Sequence, residues 1–217
     1  MIKEYIQEAA RKWKMAWDNH IFRKMTITGF LSLFIIIGCF PLFFHYIEMR
    51  PGYLLNDWIL IKIPAYNISA LLFTIIWIMV LMALVTGFRN PKFMLTLLIA
   101  YCLLCLCRYI SISFVPLDTP LGLIPLVDPF TNVVYGNRFI TKDLFFSGHT
   151  STLFLIFFCL ENKKSRNFAL LAAMITAILL LIQHVHYTID IIAAPFFAWI
   201  CYRIAMKLTV PAKKEID

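Results

Sequence analysis

Apolar residues along this chain are gathered into long runs instead of alternating with polar ones. Six runs approach the length of about 20 residues that a helix needs to cross a hydrocarbon layer. They cover residues 25–47, 68–88, 93–115, 144–160, 168–183 and 189–207. The fourth and fifth are short, which predicts that polar residues at their ends lie near a membrane interface. Ahead of the first run the pattern changes. Ile2, Ile6, Ala9, Trp13, Trp17 and Ile21 recur at helical spacing, with Lys3, Arg11, Lys12 and Lys14 among them. This predicts an amphipathic helix lying on the membrane surface, its basic residues near anionic headgroups. The expected organisation is an all-α integral membrane protein. It has an interfacial helix over 1–24, a six-helix transmembrane domain over 25–208 and a short tail over 209–217.

Composition agrees. Of 217 residues, 61 % are hydrophobic and 15 % charged, with a mean hydropathy of +0.80. That leaves too little polar surface to cover a water-soluble globule. The net charge of +8 is a topology signal and not a nucleic-acid footprint. With the N-terminus in the cytoplasm, fifteen Lys and Arg residues fall on that side, from Lys3 and Arg11 through Arg89 and Lys163 to Lys213 and Lys214. Only Arg50, Lys62, Arg138 and Lys142 fall on the other, and Arg108 lies inside the third run. Both termini are therefore expected in the cytoplasm. The first residues are too polar for a cleavable signal peptide. All six cysteines stand inside apolar runs, where they suit small buried side chains better than a disulfide framework.

Against this background two polar stretches stand out: Ser147-Gly148-His149-Thr150 and His186-Tyr187-Thr188-Ile189-Asp190. Ionisable groups beside hydrocarbon cost free energy and are more often functional than incidental. The topology puts His149, His186 and Asp190 at one non-cytoplasmic face. His186 and Asp190 are four apart, which on a continuous helix lets the carboxylate fix one imidazole nitrogen and leave the other as base or nucleophile. Ser147 and Gly148 open a helix, whose N–H groups and dipole suit an anion such as phosphate. Two histidines and a carboxylate fit covalent phosphoryl transfer. The same residues could hold zinc with an open position, although a Ser-Gly-His helix start suits an anion better. Interfacial hydrogen bonding is the plainer alternative for any one histidine. His184 points away from His186 if the segment is helical, and counts at most as pocket lining. The 116–143 connection, rich in proline, is either a cover for a headgroup pocket or a simple link.

Phe146-Ser147-Gly148-His149-Thr150 and His184-Val185-His186-Tyr187-Thr188-Ile189-Asp190 resemble the paired motifs of the sphingomyelin synthase family, a branch of the type 2 phosphatidic acid phosphatase superfamily. Arg108-Tyr109-Ile110 and Asp143 are similar to further parts of its pattern, and the likeness covers roughly the second half of the chain. The resemblance implies that His186 takes up the phospho group, Asp190 orients it, and His149 serves as acid and then base. The substrate-binding residues expected from these motifs are Ser147, Gly148, Tyr187, Arg108 and Asp143, with Arg138 and Lys142 as further cations able to meet a phosphate. It also implies a glycerophospholipid donor, a ceramide-type or other lipid acceptor, and neither metal nor cofactor. The wider superfamily has Ser-Arg beginning seven residues before its last histidine, where this chain has Leu179 and Leu180. Its first basic motif is also missing here. A phosphate monoester carries close to two negative charges and a diester one, so the missing cations favour a diester and transfer between lipids. The alternative is a lipid phosphatase or phospholipase C-like hydrolase that uses water. The expected membrane is a bacterial inner membrane with the site facing the periplasm. Golgi or plasma membrane is the alternative, and the shortness of the chain favours the bacterial case.

Overall fold

The computed structural model describes residues 2–126 and 140–214. Among them the chain forms seven α-helices and no named strand. They are α1 (Ile2–Asp18), α2 (His20–Met49), α3 (Ser69–Arg89), α4 (Pro91–Phe114), α5 (Gly148–Cys159), α6 (Lys163–Ile182) and α7 (Thr188–Lys214). Asparagine side chains set three of the starts by accepting orphan N–H bonds of the first turn. Asn19 accepts from Phe22 at 2.9 Å and so separates α1 from α2. Asn90, followed by Pro91 at the first helical position, accepts from Lys92 and Phe93 and starts α4. Asn162 does the same for α6.

Five helices (α2, α3, α4, α6 and α7) are long and apolar enough to cross a membrane. The expected run over 144–160 is different. Its helix has only 12 residues, about 18 Å at 1.5 Å per residue, short of a hydrocarbon core of about 30 Å. Leu144, Phe146 and Ser147 are buried and Phe145 half-buried, and none of them is helical. They are apolar because they pack inside the protein, and hydropathy alone does not distinguish that from a span. The fifth run is longer than expected, since α6 fills 20 residues. α7 continues to Lys214, so residues 209–214, expected in a tail, are helical.

The core lies among α4, α5, α6 and α7. Ala169, Ala172 and Ala173 on α6, with Ala194, Ala198 and Ala205 on α7, meet Leu153, Leu155 and Ile156 of the short α5. Small residues let helix backbones approach closely where no hydrophobic force separates protein from lipid. α2 and α3 each pack on α4 but make at most marginal contact with one another. Large apolar side chains such as Phe34, Leu42, Leu81 and Ile192 remain exposed, as expected of surfaces that face lipid.

α1 closes one end of the bundle. Its expected stripe is divided: Ala9 is buried and Trp13 half-buried, while Ile6 and Trp17 stay exposed, and Ala16, outside the stripe, is buried. The Trp13 indole donates to the carbonyl of Phe88 at 2.8 Å, and the Arg89 guanidinium lies 4.2 Å from the Tyr5 ring. α1 is thus docked on the ends of α3 and α4 by one edge, and its other edge is free for a bilayer surface.

The α2–α4 crossing depends on Gly29, where an added Cβ would come 2.9 Å from Leu98 Cδ2 and 3.1 Å from its Cγ. A Gly29→Leu change overpacks this crossing and should lower stability by about 1–3 kcal/mol. A thermal unfolding midpoint in detergent equal to that of the unaltered protein contradicts the close approach.

Candidate active site

The site is assembled at the end of the bundle opposite α1, around one carboxylate. Asp190 stands in the first turn of α7 and is fully buried. Its Oδ1 accepts from the Phe145 amide at 3.1 Å. Its Oδ2 accepts from the Tyr187 amide at 3.1 Å and lies 3.3 Å from Nδ1 of His186. Its backbone carbonyl accepts from the Ser147 amide at 3.1 Å. The two polar stretches are therefore joined by hydrogen bonds through a single residue. A carboxylate in this setting is costly unless so surrounded, and bonds to a charged group contribute about 1.5–3 kcal/mol each.

The His186–Asp190 contact arises differently from the expected continuous helix. α6 ends at Ile182 and α7 begins at Thr188, so His186 lies in the intervening turn. Asp190 reaches back from α7 toward it. The outcome for the ring is the expected one. Nδ1 faces the carboxylate, and Nε2 is the nitrogen turned away from it.

His149 is the second residue of α5 and packs edge-on against Phe73, ring centroids 6.1 Å apart. Ser147 caps that helix, its Oγ accepting from the Thr150 amide at 3.3 Å. Phe145 precedes it with φ 54°, the left-handed region that costs a non-glycine residue about 1–2 kcal/mol. The Asp190 bond to its amide and a 2.9 Å bond from Ser111 Oγ to its carbonyl hold it there.

Arg108 comes from α4 and is 8 % exposed. Its guanidinium donates to the Phe146 carbonyl and to the Asp143 carboxylate. Gly148 makes this possible: a Cβ there would lie 2.8 Å from Arg108 Cζ and 3.0 Å from Nη1. Without a side chain, the helix start and the guanidinium can share one wall.

Arg108, Asp143, Gly148, His149 and His186 line a cavity of about 390 Å³ whose other walls are mostly apolar, among them Phe40, Phe73, Ile76 and Tyr101. Arg108 is six residues before the end of α4 and Phe73 four after the start of α3. The polar end of the cavity is thus recessed roughly 6–9 Å below those helix ends. Among the described residues no group of three His, Cys, Asp or Glu is disposed to hold a metal ion.

Other residues singled out in the sequence stand elsewhere. Tyr187 is buried outside this cavity, its hydroxyl donating to the Asp118 carbonyl at 2.8 Å and accepting from the Leu55 amide at 3.3 Å. Burial raises the pKa of its phenol, which stays neutral. Lys142 Nζ donates to the Arg50 carbonyl at 2.9 Å and lies 3.4 Å from Asp118. Arg138 lies outside the described residues.

Two acidic residues that sequence reasoning missed hold the site from outside. Glu48, at the end of α2, accepts from the amides of Thr141 and Lys142 at 2.6 and 2.7 Å and from Thr141 Oγ1 at 2.9 Å. Asp57, in the α2–α3 loop, accepts from the Thr188 amide at 2.6 Å and its hydroxyl at 3.0 Å. It thereby caps α7 from a distance. Nothing in their local sequence marks either one, because their partners are remote in the chain.

Burial tends to raise the Asp57 pKa. The bonds from Thr188, Leu60 and Ile59 outweigh it and hold the carboxyl below its ordinary 3.8. Ionised Asp57 therefore adds stability that is fully present above that value and is lost as pH falls through the lower folded one. Titration of the unaltered protein toward acid should loosen the α7 start, and Asp57→Asn should remove that step from an unfolding-versus-pH profile. A Gly148→Ala change should cost about 10- to 100-fold in turnover with the fold retained, by displacing Arg108. Full turnover in that variant contradicts the shared wall.

Residues 142–207 match the family model described as PAP2 superfamily C-terminal. No curated protein and no solved structure matches the chain. The matched segment holds Asp143, His149, His186 and Asp190. The likeness to the type 2 phosphatidic acid phosphatase superfamily thus covers this segment, under a third of the 217 residues.

Proposed function

We propose that the protein is a lipid phosphotransferase of sphingomyelin-synthase type. It moves a phospho-headgroup from a glycerophospholipid to the hydroxyl of a ceramide-like lipid, at the non-cytoplasmic face of a bacterial inner membrane. In this reading α5 with residues 140–147 makes the sixth crossing, and both termini are cytoplasmic. The observation that carries the proposal is the junction at Asp190, which sets His186 with a fixed tautomer on the same cavity as His149.

Nε2 of His186 attacks phosphorus. A P–N bond forms as the P–O bond to diacylglycerol breaks, and His149 gives a proton to the departing oxygen. The acceptor hydroxyl then attacks phosphorus while His149 takes its proton, and the P–N bond breaks. Arg108 and the first turn of α5 stabilise the charge on the phosphoryl oxygens.

The charge of the site favours a diester. Among the described residues one guanidinium lines the cavity, and Asp143 offsets it. That suits one negative charge better than the two of a monoester. The size of the cavity favours a lipid. At about 390 Å³ it stands at the small end of ligand sites, which range over roughly 300–1,000 Å³. It takes a headgroup and the adjoining ester, not two acyl chains. Tails can remain in the bilayer, reached between α2 and α3, where Phe40 and Phe73 form the two sides.

Purified protein in liposomes given a headgroup-labelled phospholipid should form labelled sphingolipid only when ceramide is present. Release of labelled phospho-headgroup without ceramide supports a hydrolase instead. His186→Ala should lower turnover by ~10³-fold or more and His149→Ala by about 10²–10⁴-fold. Turnover that survives His186→Ala overturns the proposal, and turnover lost on chelation overturns its metal-free form.

A further inference from the structure

The turn that carries His186 holds another histidine whose surroundings fix its chemistry. His184 is 7 % exposed. Its Nδ1 lies 2.9 Å from the carbonyl oxygen of Leu121, and its Nε2 lies 2.8 Å from the carbonyl oxygen of Ile63. A carbonyl oxygen can only accept, and a neutral imidazole carries a single N–H. Both contacts are hydrogen bonds only when both ring nitrogens are protonated. We infer that His184 is an imidazolium brace fastening the α2–α3 and α4–α5 loops to the turn that carries His186. It is a positioning residue for the site.

The surroundings are built for such a brace. Gly122 has φ 78°, and a Cβ there would stand 3.2 Å from His184 Nδ1. The α4–α5 loop thus approaches the ring closely with a backbone that only glycine adopts readily. His184 itself has φ 55°, a conformation that needs support from its contacts. Bonds between backbone groups flank the ring on both sides: the Tyr66 amide to the Ile182 carbonyl and the Ile124 amide to the Gln183 carbonyl, each 3.1 Å. The Gln183 amide nitrogen adds a 2.7 Å bond to Ser69 Oγ.

A buried cation also needs a counter-charge. His184 shares a cavity of about 190 Å³ with Asp57 from the α2–α3 loop and Tyr187 from its own turn. The α4–α5 loop contributes only Leu121 to that cavity among the described residues. Asp57 is the ionised group there, and it is the residue that caps α7. Loss of either ring proton would turn a lone pair toward a carbonyl oxygen and release one loop. The turn would then keep His186 by the Asp190 bonds and the flanking backbone bonds, without the brace.

The test is ¹⁵N NMR of histidine-labelled protein in micelles at pH 7 without substrate. Two protonated ring nitrogens are expected for His184, assigned by their disappearance in His184→Gln. In that variant the Tyr66 and Ile124 amides should exchange with solvent about tenfold or more faster, while α4 amides do not change. A His184 ring with one bare nitrogen, or unchanged exchange at Tyr66 and Ile124, overturns the brace. Where that variant does not fold, the His184 ring signal is assigned in the wild-type protein through its own backbone amide, and the spectrum still decides the question. Neither measurement involves turnover, so failure here is distinct from failure of the phosphotransferase reading. The positioning role rests on that reading: His184→Gln should lower kcat by about tenfold with KM little changed, and an unchanged kcat overturns it.

Discussion

Asp190 accepts hydrogen bonds from Tyr187, close by in the chain, and from Phe145, 45 residues away. One oxygen holds the Phe145 amide, and the other holds the Tyr187 amide and faces His186. The carbonyl of the same residue holds the amide of Ser147. A buried carboxylate demands this much compensation, and that demand orders the site. Once Asp190 is satisfied, the His186 turn and the start of α5 must lie side by side. Their order follows from the charge and not from apolar packing, which specifies how close elements come more than which atoms meet.

The short α5 gives this junction its place in the fold. A full-length span would carry His149 to the level of the other helix ends. Twelve residues stop short of that, and the non-helical 144–147 segment completes the distance. The polar end of the cavity therefore sits below the rim, with Arg108 reaching it from within α4. Glu48, Asp57 and His184 tie the rim to the site at separate points. Each uses hydrogen bonds to backbone groups of loops, which suits segments that have little apolar surface of their own to bury.

Much of the architecture was legible from hydropathy, because long apolar runs report helices wherever water is excluded. Starts and ends of α3 and α4 fall within two residues of the expected runs. The run over 144–160 holds a helix of only 12 residues, because burial against protein and burial in lipid leave the same apolar signature. At the site, Gly148 and Ser147 were legible from helix-start chemistry, and Arg108 from the resemblance of its segment to the family pattern. Tyr187 was not, since a neighbour of a reactive residue can point either way when its segment leaves the helix. Asp57, Glu48 and the role of His184 were invisible, because their partners are loop backbone groups whose positions no local pattern records.

The central claim is that the junction at Asp190 makes His186 the residue that carries the phospho group. It is tested most directly by stopping the reaction during turnover of a phospholipid labelled in its headgroup and locating the labelled residue by mass spectrometry. The expected result is label on His186 in the unaltered protein and its loss in Asp190→Ala. Label on His149, or on no residue while turnover proceeds, would contradict it.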